Sequence, residues 1–417
     1  MRVIVLGAGV TGITTAYYLT KDGHEVTVID RKPGAGLETS FANGGIVCRL
    51  TASPWASPNV PKMLLKYMFR DDAPYTFRLR PDFRQMMWAI QFLKNCRQSK
   101  FEQSKLTALE LAEYSFLELE KLRSSEDIEY DQRAEGMIEL YKDERSLELA
   151  NKSAKILPDK KYHPQMLSIQ ETIDIEPAIT NKDSQYKGAL FYSGEETGDA
   201  YKFTSLLAER TQQLGAKFCY GENVDRIIIN NFHASGIATN KDQYAADAIV
   251  VSLGSFSSGL LRQCGIKLPI FPLKGYSITI PIEGQNTAPT HGVHDISRRV
   301  VFSRLGNRLR CAGTAELTGF DLSIKKKRID LLTEDAQRVF PDCNSSGSPE
   351  PWAGLRPMTP DCLPIIGESR IKNLYLNTGH GSTGWTWSCG SARAISDIIN
   401  GNFPDINISG LDPERFN

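Results

Sequence analysis

The sequence predicts an α/β protein in which one discontinuous, parallel-sheet domain is interrupted twice by an α+β domain carrying an antiparallel sheet. Three observations lead there. The chain opens on a short apolar strand that turns through glycines into a helix. Strand–helix texture of the same kind returns between about Gly194 and Gly265, and again from Trp352 to the end. Between these stretches the texture changes, first to long helical periodicity and then to short strands separated by turns. The expected division is 1–60, 194–271 and 352–417 for the first domain, and 61–193 and 272–351 for the second. A chain of 417 residues suits about two or three folding units.

Taken in order, "RVIVLG" is a short buried strand and "GITTAYYLTKDG" a helix closed by Gly23, which suits a left-handed C-cap. "HEVTVID" is a second strand rich in β-branched residues. "KLTALELAEYSFLELEKLRSS" has helical spacing. "YKFTSLLAERTQQLG" is a helix, Lys217 to Tyr220 a short strand and "AIVVSLG" a buried strand. "GYSITIPI", "RRVVFSRLG" and "NRLRCAGTAEL" read as antiparallel strands. "NLYLNTG" leads through a glycine-rich loop into the helix "SARAISDIING".

Composition narrows the function classes. Lys+Arg and Asp+Glu both number 49, which argues against a nucleic-acid footprint. The one basic run, Lys325 to Arg328, reads as a solvated helix end. The eight cysteines are dispersed with no CxxC pair, so no metal site is predicted and a reducing compartment is expected. The N-terminus is strand-like rather than a cleavable signal, and no apolar run is long enough to span a bilayer. The expected location is cytoplasmic, or peripheral on the membrane's cytoplasmic face.

"GAGVTG" sets Gly7, Ala8, Gly9, Val10, Thr11 and Gly12 between a strand and a helix. Gly7 permits the tight turn, Gly9 lets the backbone approach a pyrophosphate, and Gly12 lets helix pack on strand. The helix N-terminus offers N–H groups to the phosphates. Asp30 ends the second strand, placed to accept from adenosine ribose hydroxyls, and Arg31 follows it beside the adenosine. This is a Rossmann-like dinucleotide site, and the pattern alone does not choose between NAD and FAD.

"ETSFANGGIV" bears on that choice. A polar, glycine-rich loop here brings backbone close to a flat ligand, with Gly44 and Gly45 clearing space and Ser40 and Asn43 offering hydrogen bonds. Gly44 and Gly45 are expected nearest the ring.

"ETSFANGG", "KGYSIT" from Lys274, "WAGLRPMTPDCLPIIG" from Trp352 and "NLYLNTGHGSTGW" from Asn373 together resemble the FAD-dependent D-amino acid dehydrogenases of the D-amino-acid-oxidase-like, or glycine-oxidase-like, superfamily. The resemblance runs nearly the whole chain, more loosely in the central helices. It implies an FAD-binding domain plus a substrate domain. It implies oxidative deamination of D-amino acids to 2-oxo acids and ammonia by hydride transfer to flavin N5, with electrons passed to a quinone or other acceptor. It places Val224 against adenine and Gly254 near the adenosine and pyrophosphate. It makes Arg356 the clamp for the substrate carboxylate; Tyr276 would lend its hydroxyl to the same carboxylate or line the pocket, and Lys274 would sit near the flavin or else be a solvated strand-end lysine. FAD is expected to be non-covalent: Gly354 stands about where the sarcosine-oxidase branch has its anchoring cysteine, and the first loop has no histidine.

Gly379, Gly381 and Gly384 bracket a loop feeding a helix N-terminus, which would stabilise negative charge developing at the flavin's pyrimidine end. Gly381, Ser382, Thr383, Gly384 and Trp385 are expected to meet that end. His380 stands as a candidate general base or as a packing residue. Residues 59–96 mix Lys and Arg with Met, Phe, Leu and Trp88, which suits either a membrane-surface contact or a cover over the substrate site. Rival readings are oxidation of secondary amino acids such as sarcosine or proline, and non-catalytic flavin binding. Dehydrogenase and oxidase stay unseparated.

Overall fold

The computed structural model describes residues 1–67, 75–76, 82–155, 163–180, 185–282, 288–343 and 348–416. Strand β1 (Arg2–Leu6), helix α1 (Val10–Lys21) and strand β2 (Glu25–Asp30) form the opening unit. Gly23 closes α1 at φ +86°, the left-handed cap that the sequence predicts. Then come α2 (Val60–Tyr67), α3 (Phe83–Asn95), the long α4 (Gln98–Glu126), β3 (Met137–Tyr141), β4 (Gln165–Ser168) and β5 (Gly188–Tyr192). The middle of the chain supplies α5 (Ala200–Gln213), β6 (Lys217–Tyr220), β7 (Val224–Asn230), β8 (Ala248–Val251), β9 (Phe271–Pro281), β10 (Gly292–Asp295), β11 (Val300–Leu305) and β12 (Arg308–Glu316). The last part is β13 (Glu350–Met358), β14 (Ile365–Glu368), β15 (Leu374–Thr378) and α6 (Gly384–Ile399).

One sheet has the order β14-β15-β8-β1-β2-β6, parallel except for β14. Its central strands are apolar at nearly every position because both faces are covered, the mark of a parallel sheet. A second sheet runs β13-β9-β12-β11-β10-β3-β5-β4. It is antiparallel apart from the β10–β3 pair and a short parallel pairing of Tyr75–Thr76 with β12.

The domain boundaries shift in two places. Residues 352–358, assigned from sequence to the first domain, belong to β13, which pairs along its length with β9 of the antiparallel sheet. Helix α4, assigned to the second domain, packs instead on the first. Its Ala108, Leu111, Ala112 and Phe116 share one core with α1 and α6. Close helix approach is possible because α6 has a glycine at the crossing: a Cβ on Gly390 would lie 2.8 Å from Ser115.

The basic run also departs from expectation. Arg328 is buried and its Nε donates to Glu316, while Lys325 Nζ lies 2.7 Å from the same carboxylate. Glu316 ends β12 in the protein interior and draws these cations inward.

Candidate active site

A cavity of about 970 Å³ runs between the two sheets. At one end is the glycine loop after β1. Gly7 has φ +103°, and a Cβ there would lie 2.6 Å from Ser252 O. A Cβ on Gly12 would lie 1.8 Å from Gly7 O, so α1 can begin here only with glycine at that position. Nothing but Ser40 Oγ, at 3.6 Å, stands near Gly9. Asp30 accepts from Ala8 N–H and Lys32 N–H, both at 2.7 Å, and burial raises its pKa. Arg31 pairs with Glu38 at 2.6 Å and lays its guanidinium 3.8 Å over the Phe256 ring. Val224, at the start of β7, and Gly254, at φ +52°, line the same end.

The loop from Glu38 to Val47 turns out to be pinned to the antiparallel sheet. Ser277 Oγ donates to Ala42 O at 2.7 Å, Arg310 Nη1 to Asn43 O at 3.0 Å, and Ser303 Oγ to Gly44 O at 2.6 Å. This corrects the expected role of the paired glycines. A Cβ on Gly44 would lie 2.8 Å from Val301 Cγ2, and one on Gly45 would lie 3.1 Å from Leu305 Cδ2. The glycines clear space chiefly for the sheet, although both still border the cavity. Asn43 Oδ1 accepts from Gly45 N–H at 2.9 Å and so closes its own loop, while the residue also lines the cavity. Ser40 Oγ accepts from Val10 N–H at 3.0 Å, which places it at the phosphate loop.

The far wall is the N-terminus of α6. Gly379 (φ +77°) and Gly381 (φ +55°) turn the chain from β15 into the helix. Gly381, Ser382, Thr383, Gly384, Trp385 and Thr386 line the cavity. The first-turn N–H groups have no intrahelical acceptor, Thr383 makes no side-chain cap, and no acidic residue sits in the first turn. That end therefore carries uncancelled positive potential. The Trp385 indole packs with Phe203 and Tyr130, and its buried Nε1 has no partner among the described residues.

His380 is not placed for proton transfer. It is buried, and its Nε2 lies 3.0 Å from Ser391 Oγ. Ser391 Oγ itself donates to Ser388 O, so the imidazole is the donor and Nε2 holds the proton. Burial lowers its pKa to about 3, so it is neutral across the working range. The sign of its pH linkage follows. Between pH 6.5 and about 3 an unfolded chain takes up a proton that the folded His380 does not. Stability therefore falls as pH drops through that window, by at most about 1.4 kcal/mol per pH unit. His380→Asn is expected to flatten this slope, read as the variant-minus-native difference in acid unfolding, and to leave the pH profile of kcat unchanged between pH 6.5 and 9. A variant profile that loses a basic limb in that range would restore His380 as a base.

Arg356, on β13, reaches across β9 toward β12. Its Nη1 donates to Thr314 O at 3.0 Å, and its guanidinium lies 5.4 Å from the Trp55 ring. Gly275 makes that path possible, because a Cβ there would lie 2.2 Å from Arg356 Nη1. Tyr276 and Lys274 depart from expectation. The Tyr276 hydroxyl lies 3.0 Å from Glu316 Oε2, and burial beside that carboxylate raises its pKa. Tyr276 borders the cavity, but its side chain packs in the core of the antiparallel sheet, where its hydroxyl is engaged. Lys274 lies on the same face of β9 as Tyr276, fully buried, with Nζ 5.3 Å from the Tyr276 ring, 3.2 Å from Asp321 and donating to Ser323 O. It is neither at the cavity nor solvated. A buried cation needs such partners, and the loop after β12 supplies them.

The comparisons agree with this layout. The model of the family described as FAD dependent oxidoreductase matches residues 2–398. The chain belongs to the FAD dependent oxidoreductase family. It is 41% identical over 416 residues to the D-amino acid dehydrogenase of Allorhizobium ampelinum, covering 100% of this chain and 99% of that one. The D-amino acid dehydrogenase of Paramagnetospirillum magneticum is also 41% identical, over 417 residues and the same shares of each chain. Among solved structures, glycine oxidase from Geobacillus kaustophilus superposes with a TM-score of 0.76 at 21% identity, covering 99% of each chain. L-proline dehydrogenase from P. horikoshii superposes with a TM-score of 0.76 at 17% identity, covering 100% of this chain and 97% of that one. These two share the fold.

The residues present fit the cofactor of an FAD dependent oxidoreductase. Ser252 Oγ and Asn377 Oδ1 are buried, line the cavity and have no partner among the described residues. Such atoms call for a polar ligand. Sequence reasoning missed both, and missed Trp55, Ser277, Ser303 and Arg310. Serines and arginines on alternating strands carry no local signal, because their role appears only when the sheet meets the loop.

Proposed function

We propose that this protein oxidises D-amino acids to 2-oxo acids and ammonia, as the names of its 41%-identical relatives suggest. The observation that carries the reading is Arg356, held over Gly275 in the same cavity as the α6 N-terminus. Gly7, Gly9, Gly12, Asp30, Ser40, Ser252 and Asn377 would hold the adenine dinucleotide part of FAD, and residues 381–386 its pyrimidine end. When bound, FAD supplies the two-electron acceptor for the substrate's α-hydrogen. The protein's part is positional. Arg356 takes the carboxylate through a planar fork already oriented by Thr314 O, which fixes the α-carbon in one place. The α6 terminus stabilises negative charge at the opposite wall. His380, whose Nε2 is engaged by Ser391, is not required as a base when the α-hydrogen departs as hydride. The imino acid then adds water and releases ammonia.

The test is anaerobic mixing of the purified yellow protein with a panel of D-amino acids, L-amino acids, sarcosine and proline. Loss of visible flavin absorbance with D-amino acids is expected. Bleaching only by secondary amino acids would replace the reading, and no bleaching by any of them would leave a non-catalytic flavin protein.

The electron acceptor we propose is a membrane quinone. The support is helix α3, which lies in the stretch 59–96; residues 68–74 and 77–81 of that stretch fall outside the described residues. Phe83, Met86, Met87, Ile90 and Leu93 recur at helical spacing and are all exposed. The opposite side of α3 buries Trp88 and Phe92 against β9 and β13. No described helix is long and apolar enough to cross a membrane, so contact would be at the surface. The pair Met86→Asp with Ile90→Asp is expected to abolish co-sedimentation with phosphatidylcholine–phosphatidylglycerol vesicles while leaving anaerobic flavin bleaching intact. Unchanged vesicle binding would remove α3 from the contact.

A further inference from the structure

Gly275 and Gly354 sit directly opposite each other on β9 and β13, and both line the cavity. Each bare position is occupied by a flat side chain lying on the sheet. The Arg356 guanidinium covers Gly275, where a Cβ would lie 2.2 Å from Nη1. The Trp352 indole covers Gly354, where a Cβ would lie 2.0 Å from its six-membered ring. Directly opposed Cβ positions in such a pair are about 5 Å apart, so indole and guanidinium lie side by side at roughly that distance. Trp55 closes the guanidinium from another direction, with its ring 5.4 Å away.

We infer that Trp352 is the wall against which the substrate's side chain packs, and that it sets the size of D-amino acid accepted. The inference rests on Arg356 binding the carboxylate. A carboxylate held there puts the α-carbon one bond further out, and the atoms attached to it meet the indole. Gly354 is then the residue that lets the indole lie flat against β13 instead of standing in the cavity. The surface offered is apolar and flat, so it favours compact apolar side chains over branched or charged ones. Gly354 was singled out in the sequence only for the cysteine it lacks; the structure gives the position a different reason.

The experiment compares kcat/KM for D-alanine and D-phenylalanine in the FAD-loaded native protein, Trp352→Phe and Trp352→Ala, with flavin content measured for each. One added group in an apolar pocket is worth roughly 10- to 200-fold in discrimination. Trp352→Ala is expected to shift the D-phenylalanine to D-alanine ratio at least about 10-fold toward the larger substrate, mainly through KM, with Trp352→Phe in between. Gly354→Ala lifts the indole and is expected to shift the ratio the other way. Ratios unchanged in Trp352→Phe and Gly354→Ala, both retaining flavin, would overturn the inference even if Trp352→Ala fails to fold. The two readings fail separately. A native protein that no D-amino acid bleaches defeats the proposed activity, whereas normal bleaching with invariant ratios defeats only the role of Trp352.

Discussion

Arg356→Ala is expected to lower kcat/KM for D-amino acids by roughly 10²- to 10⁴-fold, since each hydrogen bond to a charged group is worth about 1.5–3 kcal/mol and two are lost. Flavin content should stay at the native level, because the guanidinium lies beyond the residues expected to hold FAD. Arg356→Lys keeps the charge but loses the fork, and the flexible ammonium has no reason to lie over Gly275. It should recover only part of the activity. The clamp also predicts a dissection by substrate. An amine lacking the carboxylate should be poor for the native protein and no poorer for Arg356→Ala. Equal losses for both ligands would mean that the arginine supports the sheet rather than the substrate.

Gly12→Ala is expected to give a protein purified without flavin. The added methyl group would sit 1.8 Å from Gly7 O, far inside contact distance, and neither partner is a side chain that can swing away. The backbone of the phosphate loop or the start of α1 must move, and Val10 N–H would then lose Ser40 Oγ. Overpacking typically costs about 1–3 kcal/mol, and a displaced loop loses the cofactor's stabilisation as well. The absorbance ratio of the purified protein and its thermal midpoint with and without added FAD measure this. A yellow, fully loaded Gly12→Ala protein would show that α1 can shift without disturbing the loop.

The first domain was legible because its signals are local. A strand, three glycines and a helix stand within 25 residues, and their spacing is itself the signal, although Gly7 is fixed by Ser252 O from a distant strand end. The α6 loop was legible for the same cause. The antiparallel strands were found singly, but their order was not, because β3 and β10 meet as parallel neighbours from segments more than 150 residues apart. That pairing leaves no trace in either strand. Tyr276 and Lys274 were misplaced for a related reason. Alternation along β9 tells which residues share a face, but not which face meets the cavity, and Glu316 captures the hydroxyl from behind. Helix α4 was assigned to the wrong domain because amphipathic spacing reveals a buried stripe without revealing what covers it. The paired glycines of "SFANGG" were read as facing a ligand, whereas Val301 and Leu305 occupy most of the space they leave.

The strand order of the parallel sheet has a consequence for how the protein is made. Its central strand, β1, is synthesised well before its partners: its neighbour β8 follows about 240 residues later and β15 later still. The helix terminus facing the far end of the cavity begins at Gly384. At about 5–20 residues per second of synthesis, the opening strand waits on the order of half a minute or more for its partners. Throughout that interval the glycine loop has nothing on its β8 side, so the growing chain has no completed pocket to fill. Flavin loading is therefore expected only once α6 has been made, and truncation ahead of Gly384 should yield chains that never turn yellow.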